Sequence, residues 1–276
     1  ATLMEDIEIE ADVDEDEDAE VIPVRDFHTT VSRIETLTPT IKAFYLTLDD
    51  KIHFQAGQYV QVHLPGMETS RAFSIANSPQ QILATGEVEL NVRLLAGGEA
   101  TTYMHEQLQV ADKVRISGPY GRFFVRKSAP NPMVFMAGGS GLSSPRSMIE
   151  DLLAEGSEIP ITLIYGQRYK NELYYHQEFL EMAAKHTNFT YVPALSEPED
   201  SVDWTGATGF VHEVAKQHFN NNFSGHKAYL CGPPVMIEAC ISTLMQGRLF
   251  ERDIYTEKFL SAADVTEQRS PLFKRV

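Results

Sequence analysis

Cysteine is scarce in this chain of 276 residues, which contains only Cys231 and Cys240. Two cysteines are too few for a disulfide framework, or for a four-cysteine metal or iron–sulfur site held within the chain. The nine histidines lack the spacing typical of metal ligands, and no G-x-S-x-G sequence of the hydrolase type occurs. We therefore expect no metal site in these residues, and a reducing, cytoplasmic compartment.

Long apolar runs are also absent, because no stretch approaches the roughly 18 residues that span a bilayer. The first residues are acidic, whereas a secretion signal needs a basic start followed by an apolar stretch. The sequence therefore predicts a soluble protein that does not cross a membrane.

Basic residues are outnumbered, with 23 Lys and Arg against 39 Asp and Glu and a formal net charge of −16. Residues 5–20 alone contain eleven acidic residues and no basic one, so the rest of the chain carries −5. An acidic chain without a basic stripe is not expected to bind nucleic acid. For the acidic run itself, a solvated linker is favoured over a tail that docks on a basic partner.

The first half of the chain consists of short alternating or β-branched runs separated by turn residues, and it predicts an antiparallel β-barrel. The expected strands cover residues 29–34, 41–48, 59–64, 71–76, 88–95 and 113–117, with one helix over 101–108. Residues 128–132 (SAPNP) then indicate a linker.

After this linker, apolar runs alternate with helical patterns, which predicts an α/β domain with a parallel sheet covered on both faces. The expected strands cover residues 133–137, 161–165, 189–193, 227–230 and 254–256. Helices are expected over residues 144–154, 175–185 and 234–245.

Two loops of this second half follow a strand and precede a helix, namely residues 137–145 (AGGSGLSSP) and 231–236 (CGPPVM). Glycines there let backbone N–H groups approach an anion at a helix N-terminus. Ligands of open parallel sheets bind at the carboxyl ends of strands, so the two loops could flank one ligand. The alternatives are a plain tight turn for the first loop, and for Cys231 a buried packing residue.

Three strings of the first half are weak on their own. Residues 71–74 (RAFS) place an arginine and an aromatic on one strand face, which is usually a surface pair. Arg93, followed by residues 97–102 (GGEATT) before a helix, could form a second anion site, and residues 118–121 (GPYG) form a turn.

The combination and order of these strings is specific. RxFS, GGxAT, GPYG, GGSGLxxP and CGPPxM, with residues 257–259 (EKF) near the end, resemble the ferredoxin-NADP reductase superfamily over about residues 21–276. Within it, the chain most resembles the reductase components of multicomponent phenol hydroxylases, with the toluene and soluble methane monooxygenase reductases as relatives.

The resemblance implies an FAD-binding antiparallel β-barrel over 21–130 and an α/β parallel-sheet NAD-binding domain over 131–276. Residues 1–20 would be an acidic linker, the remnant of a [2Fe-2S] ferredoxin domain that close relatives carry before the barrel. The implied function is electron transfer from NADH through FAD to a [2Fe-2S] ferredoxin domain or protein, and on to a di-iron aromatic hydroxylase. A freestanding flavin or ferredoxin reductase and a non-catalytic flavin-binding subunit remain alternatives.

The resemblance also implies roles for individual residues. Arg71 would pair with the flavin phosphate, Ser74 would offer its hydroxyl to flavin N5, and Cys231 would lie beside the nicotinamide. Ser74, Cys231 and Phe259 are the implied catalytic positions, with Phe259 covering the flavin face. The implied cofactor-binding positions are Arg71, Ala72, Phe73, Ser74, Asn91, Arg93, Gly97, Gly98, Ala100, Thr101, Thr102, Tyr120, Gly138, Gly139, Ser140, Gly141, Leu142, Arg168, Cys231, Gly232, Pro233, Met236 and Phe259.

Two parts of the sequence bear on how the implied cofactors would bind. The family usually has tyrosine where Phe73 stands, and a lost hydroxyl contact weakens flavin binding by about 1 kcal/mol if its acceptor stays buried. Residues 165–172 (YGQRYKNE) contain both an acid, which would hold ribose hydroxyls, and an arginine, which favours a 2′-phosphate. The resemblance, rather than these residues, favours NADH over NADPH.

Overall fold

The computed structural model describes residues 16–198 and 203–259, which form a barrel and an α/β unit in contact with each other. The barrel strands are β1 (Arg25–Thr36), β2 (Ile41–Leu48), β3 (Tyr59–His63), β4 (Arg71–Ser74), β5 (Glu87–Arg93) and β6 (Lys113–Tyr120). Among the described residues, no helix is long and apolar enough to cross a membrane.

The barrel is antiparallel throughout, with hydrogen-bonded neighbours in the order β4-β3-β6-β1-β2-β5. A bridge between Ile75 and Leu90 joins the two edge strands, so the sheet is nearly closed. Val60 and Val62 of β3 point into its core while the residues between them are half-buried, as the two-residue period of a strand requires. The predicted barrel is confirmed, with all six strands near their expected positions.

The barrel domain has two short helices, one more than the sequence pattern indicates: α1 (Pro79–Thr85) and α2 (Glu99–Glu106). A capping box begins α1, because the Ser78 hydroxyl accepts from the Gln81 amide and the Gln81 side chain accepts from the Ser78 amide. Pro79 occupies the first helical position, where its missing N–H is not needed. Only Ile82 of α1 is buried, so apolar periodicity does not reveal this helix.

The second domain is a parallel sheet with helices on both faces. Its strands are β7 (Met133–Gly138), β8 (Ile161–Gln167), β9 (Phe189–Leu195), β10 (Ala207–Thr208), β11 (Lys227–Gly232) and β12 (Ile254–Lys258). Its helices are α3 (Ser143–Ala154), α4 (His176–Lys185), α5 (Val211–His218) and α6 (Pro234–Gln246). The strand order is β10-β9-β8-β7-β11-β12, and every neighbouring pair is parallel.

Two apolar clusters fill the space between this sheet and its helices. Met148 of α3 and Phe179 of α4 pack on one face, while Val214 of α5 and Ile237 of α6 pack on the other. All residues of the central strand β7 are buried, which explains its uninterrupted apolar sequence. The predicted doubly covered sheet is confirmed, although β10 and α5 are additional elements. Cys240 lies buried in α6, as expected for packing.

The described end of the acidic run, residues 16–20, lies on the chain's own surface. Asp16 pairs with Arg126 at 2.8 Å, and the Asp18 carboxylate accepts from the backbone and hydroxyl of Ser128 at 2.7 Å each. Residues 16–20 therefore differ from the expected solvated linker, because basic and polar groups of the interdomain segment bind them. Residues 5–15 of the run lie outside the described residues.

Candidate active site between the two domains

Two closely packed loops lie where the order of the parallel strands reverses, between β7 and β11. A Cβ atom at Gly141 would lie 2.4 Å from the carbonyl oxygen of Cys231, so only glycine allows the two strand ends to approach this closely. Gly138 and Gly232 leave room for Met236, whose side chain would lie within 2.5 Å of a Cβ at Gly138. The two predicted loops therefore form one crevice, at the position where open parallel sheets bind ligands.

The two domains meet at the carboxylate of Glu257, near the end of β12. Its Oε2 accepts hydrogen bonds from the hydroxyls of Ser74 at 3.1 Å and Ser144 at 2.8 Å, and from the Cys231 thiol at 3.8 Å. Ser74 ends barrel strand β4, while the other three residues belong to the α/β domain. Thus the ends of β4, β11 and β12 and the start of α3 converge on one carboxyl group.

This convergence changes the acid–base character of the groups involved. Burial raises the pKa of Glu257, and the three donors oppose this shift only in part. Burial, followed by the neighbouring carboxylate of Glu257, raises the pKa of Cys231 well above its ordinary value. The site therefore contains a protonated thiol beside a carboxyl group that holds a proton more readily than usual.

Glu257 and Ser144 are missing from the residues that sequence reasoning assigned to the site. Their signals were present, since Glu257 opens the EKF string and Ser144 lies within the glycine-rich loop. Neither residue type indicates a site by itself, because the contacts join positions more than a hundred residues apart. Phe259, which was assigned, is partly buried, and its amide donates to the Gly232 carbonyl at 3.0 Å.

On the barrel side, a half-buried aromatic surface adjoins Ser74. Tyr59, the strand partner of Ser74, stacks on Tyr120 with ring centroids 5.7 Å apart. Phe73 is half-buried against the barrel core, and Arg71 is exposed. Within the described residues Arg71 forms no ion pair and donates instead to Thr69 and Ser70, so its charge is available to an anion.

A groove of about 460 Å³ opens at the start of α2, within the usual range of roughly 300 to 1,000 Å³ for ligand pockets. Gly97, Thr102 and Met67 are among its lining residues. The Thr101 hydroxyl accepts from the Leu95 amide and donates to the Gly98 carbonyl, so it shapes the loop rather than the groove. Ala100 is buried in the barrel core and Ala72 is exposed on β4.

The barrel therefore offers a cation at Arg71, an aromatic surface beside Ser74 and a nucleotide-sized groove at α2. Together these three features fit a flavin dinucleotide, which combines an aromatic ring system with a pyrophosphate. The groove lining includes none of the residues around Glu257, so the two parts would contact different portions of a bound dinucleotide.

The remaining assigned residues take up different positions. Arg93 lies against Gly139, where an added Cβ would be 2.7 Å from its guanidinium, and its Nη2 lies 3.7 Å from buried Glu172. The buried Asn91 amide nitrogen has no hydrogen-bond partner in the described part of the chain. Arg168, at the end of β8, is exposed and lies 3.7 Å from Glu197. Leu142 packs into the core, Ser140 is half-buried and Pro233 is exposed.

The comparisons with known proteins agree with this division. The oxidoreductase FAD-binding domain family matches residues 28–125, and the oxidoreductase NAD-binding domain family matches residues 135–241. The reductase component DmpP of phenol 2-monooxygenase from Pseudomonas sp. (strain CF600) is 54% identical over 278 residues, covering 100% of this chain and 78% of that protein. The phenol hydroxylase P5 protein of Acinetobacter pittii is 55% identical over 273 residues, covering 98% and 76%.

Among solved structures, the cytochrome P450 reductase GcoB of Amycolatopsis matches with a TM-score of 0.80 and 31% identity, covering 86% of this chain and 70% of that one. The matching domains are the barrel and the parallel sheet that meet at Glu257. The chain therefore belongs to the ferredoxin-NADP reductase family of FAD- and NAD-binding oxidoreductases.

Proposed function

We propose that this chain oxidises NADH through FAD and passes the electrons one at a time to a [2Fe-2S] ferredoxin domain or protein, which reduces a di-iron hydroxylase of phenol-type aromatics. The observation that carries the proposal is the convergence of Ser74, Ser144 and Cys231 on Glu257. The two most similar relatives named above are reductase components of phenol-oxidising enzymes, and this supports a hydroxylase as the final acceptor.

FAD, when bound, takes two electrons together from a nicotinamide and releases them singly, as an iron–sulfur acceptor requires. The chain's task is to hold the two ring systems in contact and to exclude water. Ser74 is the barrel residue that bonds to Glu257 in the crevice, so its hydroxyl would orient the flavin ring. Cys231 would shape the nicotinamide pocket, since its raised pKa keeps the thiol protonated and hydride transfer needs no nucleophile.

Glu257 would hold the site together and supply a proton. Its Oε2 fixes Ser74 and Ser144 in place, and its raised pKa lets it hold a proton to a higher pH than an exposed carboxyl group does. The two cysteines are free and buried, which suits the reducing conditions of the cytoplasm.

The test is a visible spectrum of the purified chain, followed by anaerobic rapid mixing with NADH or NADPH. We expect flavin bands without iron–sulfur shoulders, and faster bleaching by NADH than by NADPH. The variant Ser74→Ala should lower the limiting rate of bleaching by roughly 10- to 100-fold, because a directed polar contact to the reacting ring is lost. Ser242→Ala, on the exposed face of α6, is the matched control and should react like the wild type.

Each alternative function has its own outcome. Flavin that binds but is not bleached by either nucleotide would mean a non-catalytic flavin-binding subunit. Bleaching by NADH without electron transfer to an added [2Fe-2S] ferredoxin would mean a freestanding flavin reductase. A C-x4-C-x2-C sequence encoded upstream of Ala1 would favour the proposed iron–sulfur route.

A further inference from the structure

A second contact between the two domains is formed by a buried arginine. Arg146 of α3 lies with Nη1 3.0 Å from Glu89 of barrel strand β5, and with Nε 3.1 Å from Glu150 of its own helix. Only 8% of the Arg146 side chain and 4% of the Glu89 side chain are exposed. Because it is buried, this pair differs from a surface ion pair, which usually contributes little to the stability of a fold.

The same arginine binds the barrel backbone next to the active site. Arg146 Nη1 donates to the Ala76 carbonyl at 3.2 Å, and the neighbouring Ser147 hydroxyl donates to the Asn77 carbonyl at 2.9 Å. Ala76 lies two residues after Ser74, and Arg146 lies two residues after Ser144. The segments that carry Ser74 and Ser144 are therefore joined a second time, two residues farther along each segment.

Tyr175, at the start of α4, completes this cluster. Its ring lies 4.0 Å below the Arg146 guanidinium, and its hydroxyl donates to the Glu89 carboxylate. Burial and then the neighbouring Glu89 raise the pKa of Tyr175, so this hydroxyl stays protonated and remains a donor. Helices α3 and α4 of the α/β domain and strand β5 of the barrel are thereby held around one guanidinium group.

The charges of the cluster do not balance when all its acids are ionised. Glu89, Glu150 and the half-exposed Glu178 face the single cation of Arg146. The other polar groups facing Glu150 and its neighbours are Tyr45 of β2, Tyr175 and Gln81 of α1. Burial raises the pKa of Glu150 to about 7, Arg146 opposes this shift, and Glu89 and Glu178 reinforce it. Its buried Oε2 has no hydrogen-bond partner in the described part of the chain.

We propose that Arg146 is a positioning residue for the hydride transfer of this chain. It holds helix α3, which follows the glycine-rich loop, against the barrel segment that follows strand β4, so that Ser74 and Ser144 share one carboxylate. The fork of the guanidinium is essential to this role, because it binds Ala76, Glu89 and Glu150 at once. Glu150 tunes the contact with pH, since its protonation lowers the number of carboxylates that face Arg146 from three to two. The inference rests on the proposed function.

The first test is Arg146→Lys, which keeps the charge and loses the fork, in the FAD-loaded chain. We expect the limiting rate of flavin reduction to fall at least tenfold while the Kd for NADH changes less than about threefold. Amide hydrogen exchange should rise in residues 75–78 relative to the wild type. A merely structural role would lower the melting temperature and the FAD content but leave the rate of the loaded chain unchanged. Arg115→Lys, exposed on barrel strand β6 and paired with Asp26, is the matched control.

The second test is Glu150→Gln, which removes the titrating group and keeps its shape. In the wild type the limiting rate should change through an inflection near pH 7, and this inflection should be absent in the variant. The unfolding free energy of the wild type should also fall as pH rises from about 4.5 to about 7, because the folded chain favours the protonated acid. Glu155→Gln, at the end of the same helix and paired with Lys127, should retain both pH dependences.

The outcomes separate the two proposals. A wild-type chain that NADH does not bleach contradicts the proposed function. A bleached wild type beside an Arg146→Lys variant of equal rate and equal hydrogen exchange contradicts the positioning role alone. If Arg146→Lys does not retain FAD, Tyr175→Phe replaces it: this variant removes only the hydroxyl donated to Glu89, and an unchanged rate there contradicts the positioning role equally.

Discussion

Gly141 provides the sharpest test of the proposed nucleotide crevice. In Gly141→Ala the new methyl group would lie 2.4 Å from the Cys231 carbonyl oxygen and 2.8 Å from the Gly232 Cα, both backbone atoms that cannot rotate away. Ordinary contact begins at 3.4 Å. The loop and the end of β11 must therefore separate by about 1 Å (3.4 minus 2.4), and overpacking of this kind costs about 1 to 3 kcal/mol of stability.

Gly141→Ala should lower the rate of flavin reduction more than it lowers the stability of the fold. The displaced atoms belong to the two loops that would hold the nicotinamide, and a misplacement of about 1 Å lowers an oriented reaction roughly 100-fold. Anaerobic rapid mixing with NADH measures this rate, and chemical unfolding measures the stability of the same sample. We expect FAD content near that of the wild type, because the groove at α2, where we propose that FAD binds, contains none of the displaced atoms.

Gly156→Ala is the control for this experiment. Gly156 follows the other end of α3, has a φ of +78°, and has no atom within 4 Å of an added Cβ. Alanine there costs about 1 to 2 kcal/mol through the left-handed backbone alone, without moving either loop. The reasoning is refuted if Gly141→Ala reduces flavin within twofold of the wild-type rate, or if both alanine variants slow the reaction equally.

Three further predictions follow from the geometry of the site. Glu257→Gln should lower the limiting rate of flavin reduction and remove the inflection that Glu257 itself contributes to the pH profile, since burial raises the pKa of this acid, while the inflection assigned to Glu150 near pH 7 stays in place; a profile unchanged from the wild type would contradict a proton-holding role. Glu197→Gln, which releases the exposed Arg168, should raise kcat/KM for NADPH severalfold with little effect on NADH, as steady-state assays with both nucleotides would show. Cys231 and Cys240 should react slowly with a thiol reagent until the chain is unfolded, because burial raises the pKa of both thiols; rapid labelling of the native protein would contradict their burial.

Most of the fold could be predicted from local patterns. Strand β2 was placed at its observed bounds, and β7 and α3 were placed within one residue. Their apolar residues repeat with the period of the element, so neighbouring positions suffice to identify them. The sequence pattern does not reveal α1, because it is short and buries only Ile82. It does not reveal α5 either, because the apolar stripe of Val211, Val214 and Ala215 covers a single helical turn.

The candidate site was predictable only in part. Ser74 and Cys231 lie in short strings whose residue order resembles a known family, so they could be assigned before any coordinates. Glu257 opens the EKF string of the same resemblance, yet the string alone does not assign its role, which depends on contacts with residues 183, 113 and 26 positions away. The same holds for Arg146, which looks like an ordinary surface residue of an amphipathic helix until the barrel covers it.

The sequence by itself determined most of the strands and helices, that glycine occupies the strand ends, and which family the chain resembles, because these properties depend on neighbouring residues and their order. Only the tertiary structure decided that the barrel and the sheet share one carboxyl group, and that a buried arginine joins them beside it. The physical reason is burial: the pKa of Glu257 and of Glu150 is raised only when two domains remove water from carboxyl groups that an isolated segment would leave exposed.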